Sequence, residues 1–226
     1  MQSVRARLWF AATALVVLAG IVIQLVVTAG LTTGFFDTKL ERTLNVFCFF
    51  TIQSNIIVGV TCLLLAMNPD RSSTAFRVFR LTGVVAITVT GIVYHSVLAG
   101  LFDLDAWGLV ADHALHTVVP VMAVVGWLMF GPRGQTSFRV ARLATVFPIA
   151  WMIFTLVRGA FVDFYPYPFV DVNALGYVRV LVNGVWVAAL YLGLAAGFTV
   201  FDGWLLRLRA ALPDPPATVR DPAPRP

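Results

Sequence analysis

Residues 8–31 read LWFAATALVVLAGIVIQLVVTAGL, 24 positions without a single charged side chain. As a helix rising 1.5 Å per residue this run is ~36 Å long, enough to cross a hydrocarbon core of ~30 Å. The remainder of the 226-residue chain repeats the pattern five times, at 43–67, 80–101, 111–130, 140–161 and 174–201. The breaks are Asn68-Pro69-Asp70, Gly131-Pro132-Arg133-Gly134 and Tyr165-Pro166-Tyr167-Pro168, which are turn punctuation. The expectation is an all-α polytopic membrane protein, a bundle of six transmembrane helices over residues 1–204. A Pro-rich, polar stretch at 205–226 reads as a disordered tail.

Composition excludes the alternatives. Hydrophobic residues make up 59% and charged residues 12%, against about 25% charged in soluble domains. Mean hydropathy is +0.87. Two cysteines exclude a disulfide-stapled domain. Cys48 and Cys62 fall on one helix about four turns apart, so they cannot pair with each other. Net charge +5 would suggest nucleic acid in a soluble protein, but the basic residues are spread over loops. Arg5 and Arg7 ahead of the first run also fit a signal peptide. The run is long for that and lacks a small-x-small cleavage site, so it reads as an uncleaved span.

Charge sets the orientation. Arg5, Arg7, Arg71, Arg77, Arg80, Arg133, Arg139, Arg142, Arg207, Arg209, Arg220 and Arg225 fall on one side, and only Lys39, Arg42, Arg158 and Arg179 on the other. The second side also holds Asp37, Glu41, Asp103, Asp105, Asp112, Asp163 and Asp171. By the positive-inside rule both termini face the cytoplasm. Fifteen of the 16 basic residues are Arg, a bias suggesting a GC-rich bacterial genome and a multi-pass protein of a bacterial plasma membrane.

Polar groups inside a bilayer are costly and mark function. The second span carries Thr51-Ile52-Gln53-Ser54-Asn55, the third Tyr94-His95-Ser96, the fourth Asp112-His113-Ala114-Leu115-His116-Thr117, and the sixth Arg179 and Asn183. Counted from the span ends, all lie in the outer half, with Thr51 ~12 Å deep. One polar cavity in the outer leaflet is expected. Residues three and four apart share a face, so Thr51, Ser54 and Asn55 form one stripe, Asp112, His113, His116 and Thr117 a second, and Arg179 and Asn183 a third. Pro120 removes the N–H that would bond the His116 carbonyl. Each residue also has an ordinary reading. Thr51 bonds back to its own helix, His95 is a hydrogen-bonded structural histidine, Asp112 caps the fourth helix, and Arg179 snorkels to headgroups. Tyr165, Tyr167, Trp107 and Trp9 read as interface aromatics.

Four chemistries suit such a set. In ester hydrolysis, Thr51 supplies the hydroxyl, His116 the base and Asp112 its orientation. Asn55, Asn183 or Arg179 would receive the oxyanion. The others are a zinc site on His95, His113, His116 and Asp112, a b-type haem between histidines, and a non-catalytic lipid-binding or transport protein.

Three segments narrow the choice: Phe49-Phe50-Thr51-Ile52-Gln53-Ser54-Asn55, His113-Ala114-Leu115-His116-Thr117-Val118-Val119-Pro120, and Tyr165-Pro166-Tyr167-Pro168-Phe169-Val170-Asp171. In that order and spacing they resemble the androgen-induced / androgen-dependent TFPI-regulating membrane protein family, over residues 40–195. The resemblance implies an intramembrane hydrolase of fatty acid esters of hydroxy fatty acids, with the threonine nucleophile on Thr51 and the histidine on His116. It also implies a basic residue at Arg179. The resemblance carries no role onto His95, which looks specific to this sequence, and Ser54-Asn55 looks like the bacterial version of the first motif. The expected partners are the bilayer and a lipid ester, without nucleic acid, cofactor or metal.

Overall fold

The computed structural model describes residues 4–101 and 103–210. It is all-helical, with six helices long and apolar enough to cross a membrane: Val4–Gly30, Phe50–Met67, Thr74–Leu98, Ala106–Phe130, Phe138–Val162 and Val172–Leu208. The elements are α1 (Val4–Gly30), α2 (Lys39–Asn45), α3 (Phe50–Met67), α4 (Thr74–Val93), α5 (Ala106–His113), α6 (Val119–Phe130), α7 (Phe138–Ala144), α8 (Val146–Val162) and α9 (Val172–Ala210). At one end of the bundle, the Arg-rich end, Arg7 bonds the Met67 carbonyl, Gln135 the Arg71 carbonyl and Arg80 the Pro132 carbonyl; at the other, the acidic end, Phe35 and Phe36 meet Phe164.

Several span starts differ from the hydropathy reading, and capping chemistry explains them. The second span does not run unbroken from residue 43. After α2 and a 3₁₀ turn at Val46–Cys48, Phe49 is extended (φ −74°, ψ 134°) and α3 begins at Phe50. Side chains accept the interruption: Trp151 Nε1 donates to the Cys48 carbonyl at 3.0 Å and Gln53 Nε2 to the Phe47 carbonyl at 2.9 Å. Thr51 is therefore in the first turn of α3, not in mid-helix. The fourth span begins at Ala106, because Asp105 is its N-cap, accepting from Gly108 N at 2.6 Å. Asp112 is thus no cap. Ser73 and Ser137 cap α4 and α7 in the same way. The last helix is described through Ala210, so the tail expected from 205 is helical in its first six positions. The rest of that tail, 211–226, lies outside the described residues.

Small residues set the packing. Without water to exclude, helices in a bilayer associate by close approach and polar contact. A Cβ on Gly20 of α1 would lie 2.9 Å from Leu115 Cδ2, and one on Gly91 of α4 would lie 3.2 Å from Pro120 and 3.5 Å from the His116 carbonyl. These glycines let α1 and α4 close on the segment that carries His116. That segment and its neighbour are both π-helical turns, Ala114–Val118 and Tyr94–Leu98. In each, an N–H reaches back five residues: Val119 to the Ala114 carbonyl and Ala99 to the Tyr94 carbonyl. Such bulges rotate the side chains that follow and recur at functional sites. Trp9 is no interface aromatic: its Nε1 donates to the Met122 carbonyl at 3.0 Å inside the α1–α6 contact.

Candidate functional site

The structure brings together three of the expected residues. Thr51 Oγ1 lies 3.3 Å from His116 Nε2, and His116 Nδ1 lies 2.9 Å from Asp112 Oδ1. Asp112 and His116 are one turn apart across the start of the π turn. Thr51 reaches them from α3, 65 residues away in sequence.

Two tyrosines complete the arrangement, and neither is among the residues the sequence singled out for catalysis. Tyr94 lies flat on the His116 ring, with centroids 4.1 Å apart and planes at 12°. Its hydroxyl donates to Asp112 Oδ2. Tyr167 is buried; its hydroxyl is 3.2 Å from Thr51 Oγ1 and accepts from the Thr51 N–H at 3.1 Å. Tyr167 therefore belongs to the site and not to an interface belt. One donor order satisfies every pair. Thr51 N–H donates to the Tyr167 oxygen, Tyr167 O–H to Thr51 Oγ1, and Thr51 O–H to His116 Nε2. His116 Nδ1–H then donates to Asp112, whose second oxygen accepts from Tyr94.

Tyr167 sits in the loop between α8 and α9, outside the spans. Burial pushes its phenol above the usual range, and hydrogen bonding with Thr51 pulls it partly back. The hydroxyl is therefore a proton-bearing donor at neutral pH.

Ser54 and Asn55 support the site from behind. Ser54 Oγ donates to the Thr51 carbonyl at 3.0 Å and meets Thr90 Oγ1 at 3.1 Å. Asn55, fully buried, donates from Nδ2 to the carbonyls of Thr51 at 2.8 Å and Leu115 at 3.2 Å. It ties the nucleophile's turn to the histidine's turn. Asn55 is thus not an oxyanion donor. Neither are the other two residues expected in that role. Asn183 donates to the Phe169 carbonyl at 2.9 Å and fixes the Tyr167 loop, and Arg179 is exposed on α9.

The remaining histidines point elsewhere. His95, exposed, pairs with Thr117 Oγ1 at 3.0 Å, and His113, also exposed, bonds through Nδ1 to the Leu109 carbonyl at 2.9 Å. The three histidines therefore have three different partners. Among the described residues, no three His, Cys, Asp or Glu side chains group as metal ligands.

Beside Thr51 lies a cavity of about 600 Å³ between α3, α4, α8 and α9. Its walls are apolar, including Val89, Trp151, Met152, Val180 and Ala188, where the sequence suggested a polar chamber. The physical reason is that most of the expected polar side chains, Ser54, Asn55, Asp112, His116 and Asn183 among them, are bonded elsewhere in the bundle and do not line it. Thr51 and Tyr167 are on its wall. Ile149 and Ile153 of α8 and Leu181 and Val185 of α9 line it as well and are exposed on the outer surface of the bundle. The cavity therefore opens sideways, between α8 and α9, toward the apolar surroundings of the bundle.

Comparisons of the chain with protein-family models, with curated proteins and with solved structures each returned no match.

Proposed function

We propose that this chain is an intramembrane hydrolase of lipid esters, acting through an acyl-threonine intermediate in the outer leaflet of a bacterial plasma membrane. The observation that carries the reading is a hydroxyl, an imidazole and a carboxylate in hydrogen-bond sequence, with the hydroxyl on the wall of an apolar cavity open to the side. A nucleophile needs a base in reach, and the base needs an orienting group. Hydroxyl–base distances of this length tighten once substrate is bound.

In the proposed reaction, Thr51 Oγ attacks the ester carbonyl and its proton passes to His116 Nε2. The Asp112 carboxylate holds the imidazole in the tautomer that can accept, and stabilises the imidazolium. Collapse of the tetrahedral intermediate breaks the bond to the alkoxide, which leaves with the proton from His116. Water then repeats the sequence on the acyl-threonine and releases a fatty acid. The acyl chain lies in the cavity, entering from the bilayer between α8 and α9. The resemblance to the androgen-induced family supports the same Thr51–His116 pair and makes fatty acid esters of hydroxy fatty acids the first substrates to try.

The test is labelling of the purified protein with an alkyl fluorophosphonate, with metal analysis on the same samples. Labelling of wild type that is lost in both Thr51→Ala and His116→Ala supports the reading. Equal labelling of Thr51→Ala removes the nucleophile. Lipid retained by a protein that never labels would make it a lipid-binding protein instead.

A further inference from the structure

Attack by Thr51 places a negative charge on the former carbonyl oxygen, and something must receive it. The three residues expected to do so, Asn55, Asn183 and Arg179, are committed to backbone carbonyls or exposed. Resting on the hydrolase reading above, we infer that Tyr167 is a catalytic residue of that site, and that its phenol O–H is the donor to the oxyanion.

Position is the first argument. Thr51 and Tyr167 are the hydroxyl-bearing side chains in contact with each other on the cavity wall, 3.2 Å apart. A carbonyl carbon within bonding approach of Thr51 Oγ from the cavity puts its oxygen within reach of a group that close. His116 and Asp112 do not line the cavity, so they act on the nucleophile from behind while Tyr167 faces the substrate.

Rigidity is the second argument. Oxyanion stabilisation requires a donor that is already in place. The Tyr167 ring is stacked on Phe169 at 5.3 Å with planes 6° apart, meets Phe49 edge-on at 5.5 Å, and leans on Trp151 at 5.9 Å. Asn183 holds the Phe169 carbonyl. A loop between two spans is thereby fixed over the first turn of α3.

The hydrogen-bond order supplies the third. In the free protein the Tyr167 proton rests on Thr51 Oγ1, while the Tyr167 oxygen is held by the Thr51 N–H. When Oγ1 bonds to the carbonyl carbon it becomes an ether-type oxygen of the tetrahedral intermediate and a poorer acceptor, and the charge lies two bonds away on the former carbonyl oxygen. The phenol O–H turns to it without being replaced from solvent. No proton is transferred from Tyr167: it donates a hydrogen bond as the charge appears and withdraws it as the alkoxide leaves.

The experiment uses full-length protein in nanodiscs, p-nitrophenyl esters as substrates, and an alkyl trifluoromethyl ketone, which forms a hemiketal oxyanion on a nucleophile. For Tyr167→Phe we expect kcat to fall about 10²-fold with KM little changed, and affinity for the trifluoromethyl ketone to fall by a similar factor. Binding of the unreactive methyl ketone of the same chain length should stay at the wild-type level. Phe keeps the ring contacts, and an unchanged melting temperature reports that it does. Turnover that depends on Thr51 but is within twofold of wild type in Tyr167→Phe overturns this assignment alone. So does a fall in kcat with unchanged affinity for the trifluoromethyl ketone, which would make Tyr167 a positioning residue for Thr51. Wild type without turnover, or Thr51→Ala with full turnover, overturns the hydrolase reading and this assignment with it.

Discussion

The two ends of the bundle each bury a polar cluster, and they bury it differently. At the Arg-rich end, Arg80 donates to the carbonyls of Gly131 and Pro132, and Asp202, 1% exposed, accepts from the Thr136 N–H at 3.2 Å and Thr136 Oγ1 at 2.8 Å. Arg133 lies over the Trp127 ring and 4.0 Å from Asp202. Most of these bonds join a side chain to loop backbone, so the cluster is a clasp that pins residues 131–136 to α4 and α9. At the acidic end the bonds run from side chain to side chain through Tyr167, Thr51, His116, Asp112 and Tyr94. That chain ends at a hydroxyl on a cavity wall. Burial of polar groups alone therefore does not mark a functional site; the proposed function rests instead on a relay of side chains that ends at open space.

The comparison breaks first at Thr51 and His116. Replacing either with Ala should lower ester turnover by ~10³-fold or more, read as kcat/KM on purified protein. Thr51→Ser, which keeps the hydroxyl, should retain measurable activity. Asp112→Asn preserves shape but presents an amide to Nδ1, and a loss of about 10³-fold is expected from the wrong tautomer. Tyr94→Phe keeps the stacking and removes one hydrogen bond to the carboxylate, for a loss of about tenfold. A Tyr94→Phe effect as large as that of Asp112→Asn would mean that the phenol, not the carboxylate, orients the base. At the other end, Asp202→Ala should leave turnover per folded molecule unchanged. It should lower stability by ~2–4 kcal/mol, since it leaves Arg133 without that carboxylate and the Thr136 donors without an acceptor. Denaturant or thermal unfolding in detergent measures it. A loss of turnover in Asp202→Ala at unchanged stability would couple the two ends and dissolve the distinction.

The difference between the ends also explains what was legible in the sequence. Hydropathy and loop charge carried the six spans, because length and composition alone decide whether a helix can cross a bilayer. Thr51, His116 and Asp112 were legible because a hydroxyl, an imidazole and a carboxylate are conspicuous among apolar residues. Their partners were not. Tyr94 and Tyr167 are aromatic and pass as packing or interface residues; the usable signal was a phenol at the same depth as the histidines, in the Tyr-Pro-Tyr-Pro loop and beside His95. The break at Phe49 was hidden because the side chains that satisfy it, Trp151 and Gln53, include one from a span 103 residues away in sequence. The clasp was missed for a similar reason. Asp202 falls just past the sixth apolar run, 174–201, where the pattern does not separate a buried carboxylate from a solvated one.

Two weaker effects sharpen the site's own boundary. Gly184 lies on the cavity wall, and a Cβ there meets only Met152 Cε, at 3.4 Å. Gly184→Leu should fill the space beside the α8–α9 opening and raise KM for long-chain esters about tenfold, while short-chain p-nitrophenyl esters are hydrolysed as by wild type. Equal losses on both would mean that the acyl chain lies elsewhere.

The smallest effect is expected at the histidines outside the relay. His113 bonds within its own helix and His95 bonds to Thr117 at the surface. Neither is in hydrogen-bond contact with Thr51, His116 or Asp112. Surface substitutions of this kind usually change free energies by less than ~0.5 kcal/mol, so His95→Gln and His113→Gln should each stay within about twofold of wild-type kcat/KM. The result separates two uses of the same three imidazoles. A relay needs His116 alone, so losses should fall on one residue and chelators should have no effect. A metal or haem site needs a set, so losses comparable to that of His116→Ala at His113 or His95, together with loss of activity on chelation or a haem absorption band, would make the histidines ligands. The Thr51 contact would then be a consequence of packing.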